Sequence, residues 1–389
     1  MKLLIYTHFF APSVGGVETV VLSLARGLAE LRESRGQLQF EITLVTETPA
    51  GDFRDSDLPF RVIRKPGLIQ LQRLIWKSDV VHVAGPALLP LLLGYILRKP
   101  FVVEHHGFQT ICPNGGLFFE PLNAPCPGHF MPGRHALCLR CNAGQGWLAS
   151  MNLWLLTFPR RFLCKRVAAN IAPTRWLGKQ ISLPRINPIP HGVETKIQRR
   201  VALCSPSRPI IAFIGRLVST KGVRELFLAA KILKEQNHIF ELVIIGDGPE
   251  RASLEEFARQ AQINSMVRFA GRLEVTELEN ILDCALAVVV PSLAGEVFGM
   301  VIAENMLRGK AIVASDLGAF SEVLHDGGLK FRTGDPFDMS TRISELIEAP
   351  VFARELGNRA YQRALQFCDY QSMLQAHVEA YFQAQRPRR

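Results

Sequence analysis

The segment Glu296-Val-Phe-Gly-Met-Val-Ile-Ala-Glu304 sets two carboxylates with seven residues between them, and a Phe-Gly pair lies in the interval. Before it, the apolar run Ala287-Val-Val-Val-Pro291-Ser292 reads as a buried strand. After it, Val301 to Arg308, stopped by Gly309, reads as a helix. One acid therefore occupies a strand-to-helix loop and the other sits about one turn into the helix. Helical side chains lean toward the N-terminus, which aims Glu304 back at the crevice that Glu296 overhangs. The N–H groups of Gly299, Met300 and Val301 have no intrahelical acceptor and face an incoming anion. Hydroxyl contacts at both ends with phosphate contacts between them outline a sugar nucleotide. The helix dipole alone favours acids at a helix start by about 0.3–1 kcal/mol each, so the pair takes its meaning from the rest of the chain.

Three other groups bear on that meaning. Gly215-Arg216-Leu-Val-Ser-Thr-Lys221-Gly222 leaves one strand and enters a helix, carrying two cations suited to a diphosphate whose charge grows as it departs. Taken alone, Arg216 and Lys221 equally resemble ordinary exposed loop charges. Gly15-Gly16-Val17-Glu18 follows the first strand and opens the first helix, where a glycine backbone lets a phosphate or hydroxyl come close. Val103-Glu-His105-His106-Gly107 ends another strand. An imidazole there can exchange hydrogen bonds with a sugar hydroxyl, and His106, beside Gly107, is the better placed of the two. Gly246-Asp-Gly-Pro249 reads as a structural turn.

These residues need elements to hold them. Short apolar runs alternate with amphipathic helical patterns in both halves. Leu3–Thr7, Glu41–Val45, Val80–Val83 and Phe101–Val103 read as strands in the first half, and Val17–Leu31 as a helix. In the second half Ile210–Gly215, Leu242–Gly246, Val267–Ala270, Ala287–Val290 and Ala311–Ala314 read as strands, with helices over Val223–Glu235, Arg251–Gln262 and Thr276–Leu282. Such alternation builds parallel sheets covered on both faces, so the fold class is α/β with two doubly wound domains. At 389 residues two cores are expected. The proline-rich stretch Leu183–Pro190 and the irregular segment up to Pro209 mark the linker. The division is 1–190, then 191–365, then a final helix and basic tail over 366–389. Ligands of open α/β sheets bind beyond the carboxyl ends of the strands, which puts the expected site in the cleft between the domains.

Composition narrows the partners. With 48% hydrophobic and 21% charged residues the chain is of the soluble globular type, and a net charge of +10 favours anions. No basic–aromatic interleaving, helix-turn-helix or zinc-finger spacing points to nucleic acid. The first residues, Met1-Lys-Leu-Leu-Ile-Tyr6, are too short an apolar run for a signal peptide, and the richest stretch, Ala87–Leu97, is about half a membrane span. A cytoplasmic location follows as the expectation.

In this order the motifs resemble the retaining glycosyltransferases of family 4, which have the GT-B fold of two Rossmann-like domains facing across a cleft. The match runs through Gly15-Gly16-Val17-Glu18, His106-Gly107, Gly215-Arg216-Leu217, Lys221-Gly222, Gly246-Asp-Gly-Pro249, Pro291-Ser292, the Glu296–Glu304 segment, Gly318 and Glu322-Val-Leu. The resemblance implies that Arg216 and Lys221 hold the diphosphate, Glu304 the ribose hydroxyls, and Glu296 with the main chain of Phe298 and Gly299 the donor sugar. Met300 and Val301 would assist the phosphates and His106 would contact the sugar near the reacting carbon. His106, Arg216, Lys221 and Glu296 thus form the expected catalytic set, with Gly15, Gly16, Phe298, Gly299, Met300, Val301 and Glu304 binding the nucleotide sugar. It further implies transfer with retained anomeric configuration, no catalytic metal, and a glycan or lipid-linked acceptor, as in cell-surface polysaccharide, lipopolysaccharide or glycolipid synthesis. The rivals are a nucleotide-sugar epimerase on the same fold and a non-catalytic sugar-nucleotide-binding protein. One departure is His191-Gly192-Val193-Glu194, where the family pattern often reads Asn-Gly-Val-Asp; it leaves that loop's ligand role open. The final helix, about Tyr370–Gln385, is expected to return to the first domain.

Two features stand outside this scheme. An insert over 109–146 holds Cys112, Cys126 and Cys138-Leu-Arg-Cys141, whose last pair has zinc-knuckle spacing. A long Gly- and Pro-rich loop needs a staple, so a structural zinc on the four cysteines is one expectation, with His129 and His135 as substitutes. Role-free thiols and redox-active disulfides are the others. Trp154–Arg166 mixes aromatic, aliphatic and basic residues. It fits either a helix lying on an anionic membrane surface or a buried helix with a basic edge.

Overall fold

The computed structural model describes residues 1–32, 39–194 and 206–386. The linker residues 195–205 and the last residues of the basic tail, 387–389, lie outside the described residues. Along the first half run β1 (Lys2–Thr7), α1 (Gly16–Glu30), β2 (Glu41–Thr46), β3 (Arg61–Arg64), α2 (Leu68–Lys77), β4 (Val80–Ala84), α3 (Leu88–Ile96) and β5 (Phe101–Glu104). A hairpin, β6 (Phe118–Phe119) and β7 (Ala124–Pro125), precedes α4 (His135–Cys141), α5 (Trp147–Cys164), β8 (Ala169–Ala172), α6 (Arg175–Ile181) and β9 (Ile186–Pro188). The second half holds β10 (Ile210–Ile214), α7 (Val223–Glu235), β11 (Glu241–Ile245), α8 (Arg251–Gln260), β12 (Val267–Gly271), α9 (Val275–Cys284) and β13 (Ala285–Val290). There follow α10 (Met300–Leu307), β14 (Ala311–Ser315), α11 (Gly318–Leu324), β15 (Leu329–Phe331), α12 (Pro336–Glu348), α13 (Pro350–Phe367) and α14 (Tyr370–Gln385).

The chain divides into two units, the first made of 1–117, 127–194 and 370–389, the second of 118–126 and 195–369. In unit 1 a seven-stranded parallel sheet has the order β3-β2-β1-β4-β5-β8-β9. Its central strands are buried along nearly their whole length because helices cover both faces, and Leu3, Ile5, Val21, Leu24, Val80 and Val102 meet in one core. Helix α14 completes that core with Met373, Leu374, Val378 and Tyr381, while Tyr370 Oη donates to the Ser23 carbonyl at 2.7 Å. The return of the final helix is thus driven by apolar burial.

In unit 2 the order is β12-β11-β10-β13-β14-β15, again all parallel. This is the Rossmann pattern, in which strand order reverses between the first and fourth strands and leaves a crevice at their carboxyl ends. Here the reversal falls between β10 and β13, so the loops after those two strands flank the crevice. Phe213, Phe227, Leu242, Val289 and Val313 fill the core.

The sheets are wider than the hydrophobic pattern suggests. Strands β3, β8, β9 and β15 were not among the expected runs. Each has three or four residues, and β9 lies inside the stretch read as a proline-rich linker. As an edge strand paired only with β8, it tolerates Pro188, because its outer side needs no donor. The unit boundary therefore falls after Glu194 instead of at 190. The insert is also divided, since 118–126 belongs to unit 2 and the remainder to unit 1. Among the described residues, no helix is long and apolar enough to cross a membrane.

Candidate active site

Unit 2 gathers the residues singled out after β10 and β13. The two loops are joined by backbone first. Leu293 N–H donates to the Thr220 carbonyl at 2.8 Å, and Gly222 lies against Pro291 so closely that a Cβ there would meet the Pro291 oxygen at 2.0 Å. Only glycine fits this contact, and its φ of +67° is one that side chains disfavour. The turn after β11 braces the first loop, because Leu217 N–H donates to the Asp247 carbonyl at 3.0 Å. Gly246-Asp-Gly-Pro249 is thereby part of the scaffold under Arg216.

On that frame Lys221 Nζ donates to Glu296 Oε1 at 2.6 Å, and Ser292 Oγ donates to the same oxygen at 2.9 Å. Ser292 is held in turn by its own carbonyl, which accepts from Ser315 Oγ at 2.7 Å. Lys221 keeps 32% and Glu296 14% of its side-chain surface exposed, and Arg216 is exposed at the same strand end. Gly299 adopts φ +98° immediately before α10, with the Phe320 ring 2.7 Å from where a Cβ would stand. The left-handed turn lets α10 begin at Met300, so the N–H groups of Met300 and Val301 open toward the crevice. Phe298 is buried and stacks on Phe367, with centroids 6.2 Å apart. Glu304 follows one turn later, where burial pushes its carboxyl up and Arg308 pulls the other way.

The structure thus brings Lys221, Glu296, Phe298, Gly299, Met300 and Val301 onto two adjoining loops, with Glu304 and Arg216 beside them. Sequence reasoning missed Ser292 as a partner of Glu296, although a Pro-Ser step directly after a buried strand was the available signal. It also missed Phe118. This residue of the insert hairpin packs against Leu293 and Ala294 and ties part of the insert to the same loop.

In unit 1, Gly15 is extended and precedes α1, whose first residue is Gly16; Ser13 Oγ donates to Glu18 Oε1 at 3.1 Å. His105 and His106 diverge. His105 is fully buried with Nε2 2.9 Å from Asn170 Oδ1, and burial lowers its pKa to about 4. His106 instead turns Nε2 toward Glu104 Oε2, 3.6 Å away. Glu104 has three more imidazoles around it: His82 at 3.2 Å, His191 at 3.5 Å and His377 at 3.7 Å. None of this cluster except His106 was expected, because its members come from β4, β5, two loops and α14.

The cysteines are distributed between the units. Cys126 belongs to unit 2, while Cys112, Cys138 and Cys141 are buried in unit 1, where Cys112 Sγ donates to Asn114 Oδ1 at 2.9 Å and Asn114 Nδ2 donates to Cys141 Sγ at 3.4 Å. Among the described residues, the group of three whose ligand atoms lie within 4.8 Å of one another is Glu104, His106 and His191.

Comparison with known proteins agrees with the architecture. Residues 14–197 match the family described as Glycosyltransferase Family 4, and residues 194–363 match Glycosyl transferases group 1. Glycogen synthase of Mycobacterium tuberculosis is 29% identical over 81% of this chain and 71% of its own length. Alpha-D-kanosaminyltransferase of Streptomyces kanamyceticus is 28% identical over 75% of this chain and 73% of its own. Among solved structures, Anabaena HepE in complex with UDP superposes with a TM-score of 0.72 at 18% identity, covering 97% of this chain and 99% of that one.

Proposed function

The chain belongs to the group 1, family 4 glycosyltransferases, and from that premise we propose that it moves a sugar from a nucleoside diphosphate donor to a glycan or lipid-linked acceptor with retention of anomeric configuration. The observation that carries this reading is the Lys221–Glu296–Ser292 constellation beside the start of α10, at the strand-order reversal of unit 2. An HepE complex with UDP supports a nucleoside diphosphate as the leaving group.

Arg216 and Lys221 take the diphosphate together with the Met300 and Val301 N–H groups. Glu304 accepts from the ribose hydroxyls. Glu296 and the main chain of Phe298 and Gly299 hold the donor sugar, and His106 contacts it near the reacting carbon. As the bond from the anomeric carbon to phosphate oxygen breaks, its electron pair leaves with the diphosphate. The acceptor hydroxyl oxygen attacks the same face, and a diphosphate oxygen takes its proton, so no side-chain base is needed. At an effective dielectric of ~20 a close charge pair is worth roughly 4 kcal/mol, enough for two cations to serve in place of a catalytic metal. A turnover assay tests the reading. Release of nucleoside diphosphate with sugar transferred in its original configuration is expected, and a free epimerised sugar nucleotide would refute it.

A lipid-linked acceptor at the inner face of a membrane is supported by one surface of unit 1. Helices α2, α3 and α5 pack side by side and expose Trp76, Leu92, Tyr95, Ile96, Phe158 and Phe162. Arg73, Lys77, Arg98, Lys165 and Arg166 are exposed on the same helices or at their ends. An apolar face with a basic rim suits anionic lipid. Co-flotation with anionic but not neutral liposomes is expected, and its absence would remove the membrane from this account.

A further inference from the structure

Glu104 ends β5 in unit 1 with no exposed surface. Among the described residues, neither carboxylate oxygen has a hydrogen-bond donor in bonding geometry. A buried carboxylate left so costs several kcal/mol, and a compensating positive charge is required. Four imidazoles surround it, and their nitrogens stand 3.2–3.7 Å from its oxygens. Charge-assisted N–H···O bonds are shorter, about 2.7–2.9 Å. Ligand atoms bound tetrahedrally to zinc at about 2.0–2.1 Å are separated by about 3.3–3.4 Å; here His106 Nε2 and His191 Nδ1 stand 3.6 and 3.5 Å from the carboxylate, and the ligand atoms of the three residues all lie within 4.8 Å of one another.

The orientation of the rings agrees. His377 Nδ1 lies 2.9 Å from the Met373 carbonyl, which can only accept, so Nδ1 carries the proton. In the neutral ring that leaves a lone pair on Nε2, the nitrogen that faces Glu104. A backbone carbonyl behind a ligating imidazole is the usual outer partner in metal sites. His82 is held likewise by Tyr381, whose hydroxyl lies 3.0 Å from Nδ1. His106 and His191 stack with centroids 5.4 Å apart and present Nε2 and Nδ1 to opposite oxygens of the carboxylate. Neutral imidazoles are what a metal ion requires.

We propose that Glu104, His106 and His191, flanked by His377, bind one divalent transition-metal ion of the zinc class. The ligand set of imidazoles and a carboxylate suits zinc and its neighbours, not calcium or magnesium. The ion would lock α14, the 191–194 loop and the end of β5 together. On the reading of His106 as a donor-sugar contact, coordination through Nε2 also fixes its proton on Nδ1, which is then a donor to a sugar hydroxyl.

Metal retention by the metal-stripped full chain, after loading with Zn2+ or Co2+ and dialysis, tests the site independently of turnover. About one equivalent is expected in the wild type and in Cys138→Ser/Cys141→Ser, and less than a tenth of that in Glu104→Gln and His191→Gln. His105→Gln, whose ring faces Asn170, should retain the metal. The Co2+ form should lack a sulfur-to-metal charge-transfer band. Should the Glu104 and His191 variants fail to fold, zinc-edge X-ray absorption of the wild type decides. Nitrogen and oxygen ligands at about 2.0–2.1 Å support the site. No retained metal, retention unchanged in both folded ligand variants, or two or more sulfurs at about 2.3 Å with a single equivalent overturns it.

Discussion

Glu104, at the carboxyl end of β5, is buried among four imidazoles with no lysine or arginine paired to it among the described residues, whereas Glu296, after β13, shares one oxygen with an ammonium and a hydroxyl and keeps 14% of its side-chain surface exposed. Both acids lie at the carboxyl edge of a parallel sheet, but their partners differ in reach and charge. Lys221 has a flexible stem and a permanent charge, so it can leave Glu296 for an arriving diphosphate while Ser292 still holds the carboxylate. The imidazoles around Glu104 have short side chains held on β4, α14 and the ends of strands, with little freedom to swing away. Burial pushes the Glu104 carboxyl up, but the imidazoles of His106, His377 and His82 outweigh it and hold it well below the usual range. An open ion pair suits ligand exchange, and a closed cage suits permanent occupancy.

The largest effect should come from opening the cage. Compared with the metal-loaded wild type, Glu104→Ala is expected to lower unit 1 stability by about 3–5 kcal/mol, as loss of one member of a buried charge cluster does. Region-resolved hydrogen exchange checks this, and a change confined to unit 2 would break the contrast. Acid should separate the units next. His105 and His191 have folded pKa values of about 4 and about 3, below the unfolded value near 6.5, so the unfolded chain binds more protons as pH falls. Their contribution is complete above pH 6.5 and declines by about 2 kcal/mol per histidine by pH 5 in metal-free protein. Glu104 stays ionised in both states over most of that window and does not offset the loss. Exchange protection in unit 1 should therefore fall before that in unit 2.

In the open pair the readout is chemistry. Lys221→Ala, Arg216→Ala and Glu296→Gln should each lower turnover at least about tenfold, roughly 1.4 kcal/mol of barrier, with little change in melting temperature. Wild-type rates in all three would end the proposed mechanism. Smallest is Ser292→Ala, which removes one hydrogen bond to the carboxylate and should cost about 0.5–1 kcal/mol in kcat/KM, less than tenfold. A value equal to that of Glu296→Gln would mean that Ser292 acts on substrate directly.

Legibility differed between the two regions for a physical reason. The unit 2 site lies on two strand-to-helix loops, and the residues that act together there are close in sequence or follow recognisable apolar runs. Glu296, Phe298, Gly299 and Glu304 could be read together because a single loop and helix start place them. Glu104 drew no attention beside His105 and His106, since its four partners come from positions 82 to 377. Strands β3, β8, β9 and β15 escaped because their three or four residues are interrupted or flanked by Arg, Asn, Pro or Lys, which leaves no continuous apolar run to register.

By itself the sequence determined the alternation of buried strands and amphipathic helices, and with it the two doubly wound units and the loops that bear Lys221 and Glu296. These follow from local patterns, apolar period and glycine placement, which need no knowledge of distant residues. The tertiary structure alone decided which histidines face Glu104, that α14 brings His377 to it and Tyr381 to His82, and that Phe118 leaves the insert to pack in unit 2. Those outcomes depend on which apolar faces bury one another, a sum over contacts far apart in the chain that no local window contains.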